Sequence, residues 1–414
     1  MRPATEDLRV GIDTLFTSTS PRGSLVDYLR GVVRYTLRAL PNLQLTLFVS
    51  HENRVLYEDL ANSQVLLTHV GASNERPLAR ILTQQFLLPR AIARSQVQVL
   101  FAGADVAPLS CPCPVVLKVN TLHHYHEPWA LGRARSFYRR LMIRASAARA
   151  EWVVANSAAT RSDILRFLPV RPERVILSYE AVDEAFVPAS AVAVGEARRR
   201  LGLPTRYLLF VSRLYPYKNL DTLVHAFALV SGAGTFDGWL VVAGDDYQGE
   251  RGRLEALCER LGCRHRVLFL GSIPNQELPP VLCGAEALVY PSLQETFGKP
   301  LVEAMRCGVP VVAAHAGAIP EIVRDAALLF APRDIEGLAS ALVRVTSDKD
   351  LRHRLVTAGQ ARATFFSWSR AARELVEVWR QASKGASSLS SLESALGINE
   401  HPTPNAMYPR GDGE

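Results

Sequence analysis

The stretch YPSLQETFGKPLVEAMRCGVPVV, residues 290–312, decides the fold. Its first residue ends an apolar run that begins near 286, and a second apolar run follows at 310–313. Between them, a polar loop carries Glu295 and Gly298, and Pro300 stands where the first turn of a helix bearing Glu303 would begin. Strand, loop, helix and strand in so short a span predict one unit of a parallel sheet. The loop has chemical meaning as well. Free N–H groups at a helix start behind a glycine attract anions, and the helix dipole adds to the attraction.

Outward from this unit, short apolar runs alternate with helical patterns toward both ends of the chain. The second half predicts strands at 207–212, 239–243, 266–269, 286–290, 310–313 and 327–330. The first half predicts them at 8–13, 43–50, 65–70, 97–101, 115–119, 152–155 and 174–177. Two series in 414 residues predict two sheets and two domains, since the chain exceeds one ordinary core. The stretch 184–206, with Pro188 and a small-residue run at 189–195, fits a connection. The expected division is therefore 1–187 and 188–366. Residues 385–414 gather Ser, Gly and Pro without periodicity and are expected to form a disordered tail.

Composition excludes several classes. With 48% hydrophobic and 21% charged residues the chain should bury a normal core. Its longest apolar runs, such as 115–119 and 308–320, fall short of the roughly 18–20 residues of a membrane span. The start MRPATEDLRVGID lacks a secretory pattern, so the cytosol is the expected location. Six cysteines without CxxC spacing are expected to be reduced, and HHYH at 123–126 lacks partners at zinc-site spacing.

The net charge of +7 rests on arginine, because only five of the 47 basic residues are lysines. Between Arg133 and Arg149 stand six arginines and no acid, with Phe137, Leu141, Ala145 and Ala148 at helical spacing. That helix is expected near an anionic membrane surface, with a solvated basic face as the alternative. Nucleic acid is not an expected partner, for no aromatic-interleaved basic motif accompanies the charge.

Transfer of a sugar from a nucleotide sugar needs cations and N–H donors for the departing diphosphate. FVSRLYPYKNL at 210–220 supplies Arg213 and Lys218 directly after a strand. Here the sequence resembles the family 4 retaining glycosyltransferases of GT-B fold. The resemblance rests on the Glu-x7-Glu element ETFGKPLVE at 295–303, SRLYPYKN at 212–219, VVAGDDY at 241–247 and LGSIPNQELPPVLCGAEALVYPSLQE at 270–295. AGAIPEIVRDAALLF at 316–330 and FSWSRAARELVEVW at 366–379 extend it.

The resemblance implies an α/β molecule of two Rossmann-like parallel-sheet domains facing across a cleft, with a helix over 367–384 crossing back to the first. It implies a catalytic set of Glu295, Arg213, Lys218 and His123. Arg213 and Lys218 would meet the donor diphosphate, Glu303 the ribose hydroxyls and Glu295 the transferred sugar. Backbone around Phe297, Gly298 and Lys299 would contact sugar and phosphates, and backbone near Ile273 the base. In the first domain, Arg22-Gly23-Ser24 stands where the family has a glycine pair, which makes Gly23 a donor-phosphate candidate. The family's active-site histidine, counted back from Pro128 in KVNTLHHYHEP, falls on Asn120, leaving His123 or His124 to take the role.

The implied activity is transfer of a hexosyl group from a UDP- or GDP-sugar to a glycolipid or envelope-polysaccharide precursor, with retention and without metal or other cofactor. A GT-B-fold sugar-nucleotide epimerase and a non-catalytic anionic-lipid-binding module are the alternatives.

Overall fold

The computed structural model describes residues 7–17, 24–71, 76–126 and 133–385. Among them, thirteen strands form two sheets in which every strand pair is parallel. The first sheet holds β1 (Arg9–Asp13), β2 (Gln44–Val49), β3 (Val65–His69), β4 (Val99–Ala102), β5 (Val115–Val119), β6 (Trp152–Ala155) and β7 (Val175–Leu177), ordered β3-β2-β1-β4-β5-β6-β7. The second holds β8 (Tyr207–Val211), β9 (Trp239–Ala243), β10 (Val267–Gly271), β11 (Ala287–Tyr290), β12 (Val311–Ala314) and β13 (Ala327–Phe330), ordered β10-β9-β8-β11-β12-β13. Each lies within two residues of its expected place.

These strands read as continuous apolar runs because helices cover both faces of a parallel sheet. β5 breaks the rule with Lys118, buried among valines and a leucine. Strand order reverses between β1 and β4 in one sheet and between β8 and β11 in the other. At such a switch point, loops leave in opposite directions and open a crevice at the carboxyl ends of the strands.

The chain divides into two compact units, 181–367 and the remainder. The division falls after Glu180, ahead of the expected 187/188 boundary near Pro188. The reason is that the connection is already fastened to the second unit. Arg306 donates to the Val182 carbonyl at 3.4 Å, and the Ala189 N–H meets Cys283 Sγ at 3.2 Å.

Helix Trp368–Ser383 belongs to the first unit. Its Trp368 ring stacks on Tyr35 at 5.5 Å and lies 5.8 Å from Tyr28. Both tyrosines stand on helix Ser24–Ala39, where Gly31 leaves room for the indole. Further along, Ser178 donates to the buried Glu374 carboxylate at 2.7 Å. The tail at 386–414 lies outside the described residues.

Candidate functional site

In the second unit the expected cations and carboxylates converge on the switch point between β8 and β11. β8 ends in the loop bearing Arg213 and Lys218, and β11 in the loop bearing Glu295 and Gly298. The two loops are laced together. The Leu293 N–H donates to Tyr217 O at 2.9 Å, and Asn219 Nδ2 donates to Pro291 O at 3.2 Å.

Lys218 is brought inward by this lacing. Its side chain is 6% exposed, and its ammonium donates to Glu295 Oε2 at 2.5 Å and to Tyr290 Oη at 2.9 Å. The Tyr290 hydroxyl in turn donates to the same carboxylate oxygen at 2.8 Å. Burial, and then the Glu295 charge, push the Tyr290 phenol well above its ordinary range, so it stays protonated as a donor. Sequence reading missed Tyr290, seeing only the last residue of a strand. A tyrosine directly before the loop of a carboxylate, at a strand end, was the available signal.

Arg213 differs from Lys218 in being half exposed. Its guanidinium stands 3.2 Å from Tyr215 Oη and 3.8 Å from Asp245, contacts that hold it charged. Glu295 accepts from the Thr296 N–H at 3.2 Å, which orients it across the loop. Gly298 caps helix Lys299–Arg306 at φ +84°, a left-handed conformation that glycine adopts without cost. The phenyl ring of Phe297 is buried edge-on to Phe366 at 5.5 Å. Lys299 begins the helix, half-buried Glu303 stands one turn further in, and Ile273 follows β10 half-buried.

The carboxylate loop is braced from behind. The Ala318 N–H donates to Glu295 O at 2.9 Å, and Gly317, at φ +52°, lies so close that a Cβ there would sit 2.4 Å from that oxygen. Sequence reading quoted AGAIPEIV only for its pattern and missed this role.

In the first unit, Asn120 follows β5 and is held on several sides. Its backbone N–H meets Asp105 Oδ1 at 2.5 Å, and its Nδ2 donates to Gly103 O at 2.8 Å. Its Oδ1 accepts from Lys118, whose ammonium pairs with Glu180 at 2.7 Å over the ring of Tyr28 at 4.1 Å. Arg139 closes the cluster on Asp105 at 2.7 Å. A lysine inside an apolar strand announces such a network, since a buried ammonium needs partners. His123 is half-buried with its N–H on Thr121 Oγ1 at 3.2 Å. His126 pairs with Asp163 at 2.8 Å. Gly23 lies outside the described residues.

His124 is buried against Tyr125, and its Nε2 meets no hydrogen-bond partner among the described residues. Burial, with Arg139 nearby, lowers its pKa to about 4, so the ring is neutral at pH 7. The unfolded chain therefore binds a proton that the native state refuses between the ordinary 6.5 and about 4. Stability from this group is complete above pH 6.5 and falls as pH drops through that window. The loss expected by pH 4 is about 2 kcal/mol, discounted for solvent near the ring. Thermal melts of the wild type and His124→Phe across that range should show a shallower acid loss in the variant. Parallel curves would mean that the native ring protonates freely.

Two family models match the chain. Residues 31–186 match the model described as Glycosyltransferase Family 4, and residues 195–362 match that described as Glycosyl transferases group 1. The O-antigen chain mannosyltransferase B of Escherichia coli is 27% identical over 266 residues, 64% of this chain and 68% of that protein. A D-inositol 3-phosphate glycosyltransferase of Salinispora tropica is 35% identical over 249 residues, 57% of this chain and 52% of that protein. A serotype-specific mannosyltransferase of Escherichia coli is matched over only 30% of its length. The chain thus spans between about a third and two thirds of these relatives.

Among solved structures, Anabaena HepE in complex with UDP has a TM-score of 0.69 at 21% identity, covering 90% of this chain and 100% of that one. A sucrose-phosphate synthase from Thermosynechococcus elongatus has 0.73 at 20%, covering 90% and 98%. At that identity the likeness fixes the fold, the GT-B arrangement of two Rossmann-like sheets. With a family model on each sheet-bearing half, the chain belongs to the family 4 glycosyltransferases.

Proposed function

We propose that this protein transfers a hexosyl group from a UDP- or GDP-linked sugar to a hydroxyl of a glycan or glycolipid acceptor, with retention of anomeric configuration. The observation that carries the reading is the buried Lys218–Glu295 pair at the switch point of the second sheet, beside the amino end of helix Lys299–Arg306. Donor phosphate and Glu295 compete for one ammonium, so diphosphate binding frees the carboxylate toward the sugar. Arg213, exposed on the neighbouring loop, takes the second phosphate bidentately. Glu303 accepts from the ribose diol, backbone of Phe297, Gly298 and Lys299 meets the sugar, and backbone near Ile273 meets the base.

The acceptor oxygen attacks the anomeric carbon from the face that the diphosphate leaves. Its bond to carbon forms as the carbon–phosphate oxygen bond breaks, and its proton passes to the departing oxygen. Glu295 and Glu303 are therefore not the flanking acid and base of a glycoside hydrolase. On the acceptor side, His123 is the contact, while Asn120 and His124 hold the loop that presents it. Cationic side chains and helix N–H groups offset the leaving charge, so the reaction asks for no metal ion.

The O-antigen mannosyl transfer named for one relative supports an envelope-glycan or glycolipid acceptor. Among the described residues, no helix is long and apolar enough to cross a membrane. Slow donor hydrolysis gives a test without the acceptor. In chelator, the first sugar released should carry the donor's anomeric configuration by proton NMR. Inverted sugar, or dependence on added metal, would contradict the mechanism, and a changed ring configuration without transfer would mark an epimerase.

A further inference from the structure

We propose that the first unit docks on an anionic lipid bilayer through a face built from the helical segment 77–95 and helix Arg133–Arg149, with leucine and phenylalanine side chains entering the interface. Of the twelve large hydrophobic residues left exposed among the described residues, seven belong to this face. On the first segment Leu78 is 76% and Phe86 58% exposed, with Leu82 between them at the four-residue spacing that aligns one side of a helix. A π-helical turn at Thr83–Leu87 widens that side to include Leu87. Thr83, Gln84, Leu88 and Ile92 point the other way, into the unit. On the second helix Phe137 is 71% and Leu141 56% exposed, while Met142 and Ile143 are buried.

The two elements are neighbours because both clasp one loop. Gln85 Nε2 donates to Ala107 O at 3.2 Å and Gln85 Oε1 accepts from the Leu109 N–H at 3.0 Å. From the other side, Ser146 Oγ accepts from the Ala107 N–H at 3.0 Å. Leu109 itself is exposed, between the two stripes.

Charge identifies the occupant. The sequence has four arginines from Arg76 to Arg94 and six from Arg133 to Arg149, with no acid in either stretch. Arg76, Arg90, Arg94, Arg144 and Arg149 are exposed. Apolar stripes bordered by cations of one sign suit the boundary of acyl chains and anionic headgroups. A second copy fits poorly, since a two-fold contact would set this arginine-rich face against itself. The inference deepens the reading of a membrane-borne acceptor, yet its test needs neither donor nor acceptor.

The test is flotation of the full chain with vesicles of phosphatidylcholine alone or with added phosphatidylglycerol. Binding is expected only to the anionic vesicles and should weaken at high salt. It should fall at least about tenfold in Leu82→Gln/Phe86→Gln and in Phe137→Gln/Leu141→Gln, and also in Arg90→Gln/Arg94→Gln/Arg144→Gln. Melting temperatures and any nucleotide-induced shift should be unchanged in all three, which separates this proposal from the donor assignment. Equal binding to neutral vesicles, no binding, or undiminished binding by the apolar variants would overturn it. So would a dimer that these substitutions dissociate without any vesicle binding, which would assign the face to a second copy.

Discussion

Lys218→Met should lower kcat/KM on the order of 10²- to 10³-fold and abolish stabilisation by the donor nucleotide. The same substitution strands Glu295, whose side chain is 10% exposed, beside Tyr290 without its ammonium. Removing one member of such a pair costs about 3 kcal/mol of stability, so lost activity alone would not reveal a role in catalysis. The double variant Lys218→Met/Glu295→Gln separates the two effects. It removes the stranded charge, so the melting temperature should return most of the way while the donor nucleotide still fails to raise it further. Nucleotide stabilisation that returns together with the melting temperature would make Lys218 a structural residue and contradict its role at the diphosphate.

Gly317→Ala should produce the second large effect, although Gly317 bears no chemistry. Its φ of +52° already disfavours a side chain, and the added Cβ would meet Glu295 O at 2.4 Å and Glu295 N at 2.7 Å. Both are backbone atoms, so the carboxylate loop itself must move. A loss of about 2 kcal/mol is expected, with donor affinity falling at least about tenfold as Glu295 shifts. Gly262→Ala is the control. Gly262 has φ +70° with nothing within 4 Å of a Cβ, so it carries the left-handed strain without the collision. Calorimetric binding of the donor nucleotide to both variants isolates the collision, and equal affinities would show that the loop position does not matter to the donor.

The sheets were legible in the sequence because buried parallel strands leave continuous apolar runs, and YLLFV, WLVVA and ALVY admit few other readings. The residues of the proposed donor site could be named from the sequence because Arg213, Lys218, Glu295 and Gly298 each stand in a loop that follows a strand. Their pairing could not. That Lys218 turns inward to Glu295 depends on the hydrogen bonds that lace its loop to Leu293 and Pro291, which no spacing rule encodes. Gly317 was missed for the same reason, since it acts through the distant Glu295, and so was the contact of Tyr290 with Lys218, although its bond to the nearby Glu295 was within reach of the sequence.

The first unit was read less well. KVNTLHHYHEP offered three candidates, and only the structure separates Asn120, held by Lys118 and Asp105, from the half-buried His123 and the buried His124. The face proposed to meet a membrane was half legible. The arginines of 133–149 stood out as a charge run, but the segment 77–95 had too short an exposed stripe, interrupted by its π-helical turn, to show a period.

The most direct test of the donor site is a thermal-shift panel of UDP-, GDP-, ADP- and dTDP-sugars on the wild type, Glu303→Ala and Lys218→Ala, since a ligand of the native state raises its midpoint. One nucleotide family should raise the wild-type midpoint and leave both variants unmoved. A well-folded wild type that no nucleotide sugar shifts, or variants that shift as much as the wild type, would contradict a donor site built on Lys218, Glu295 and Glu303.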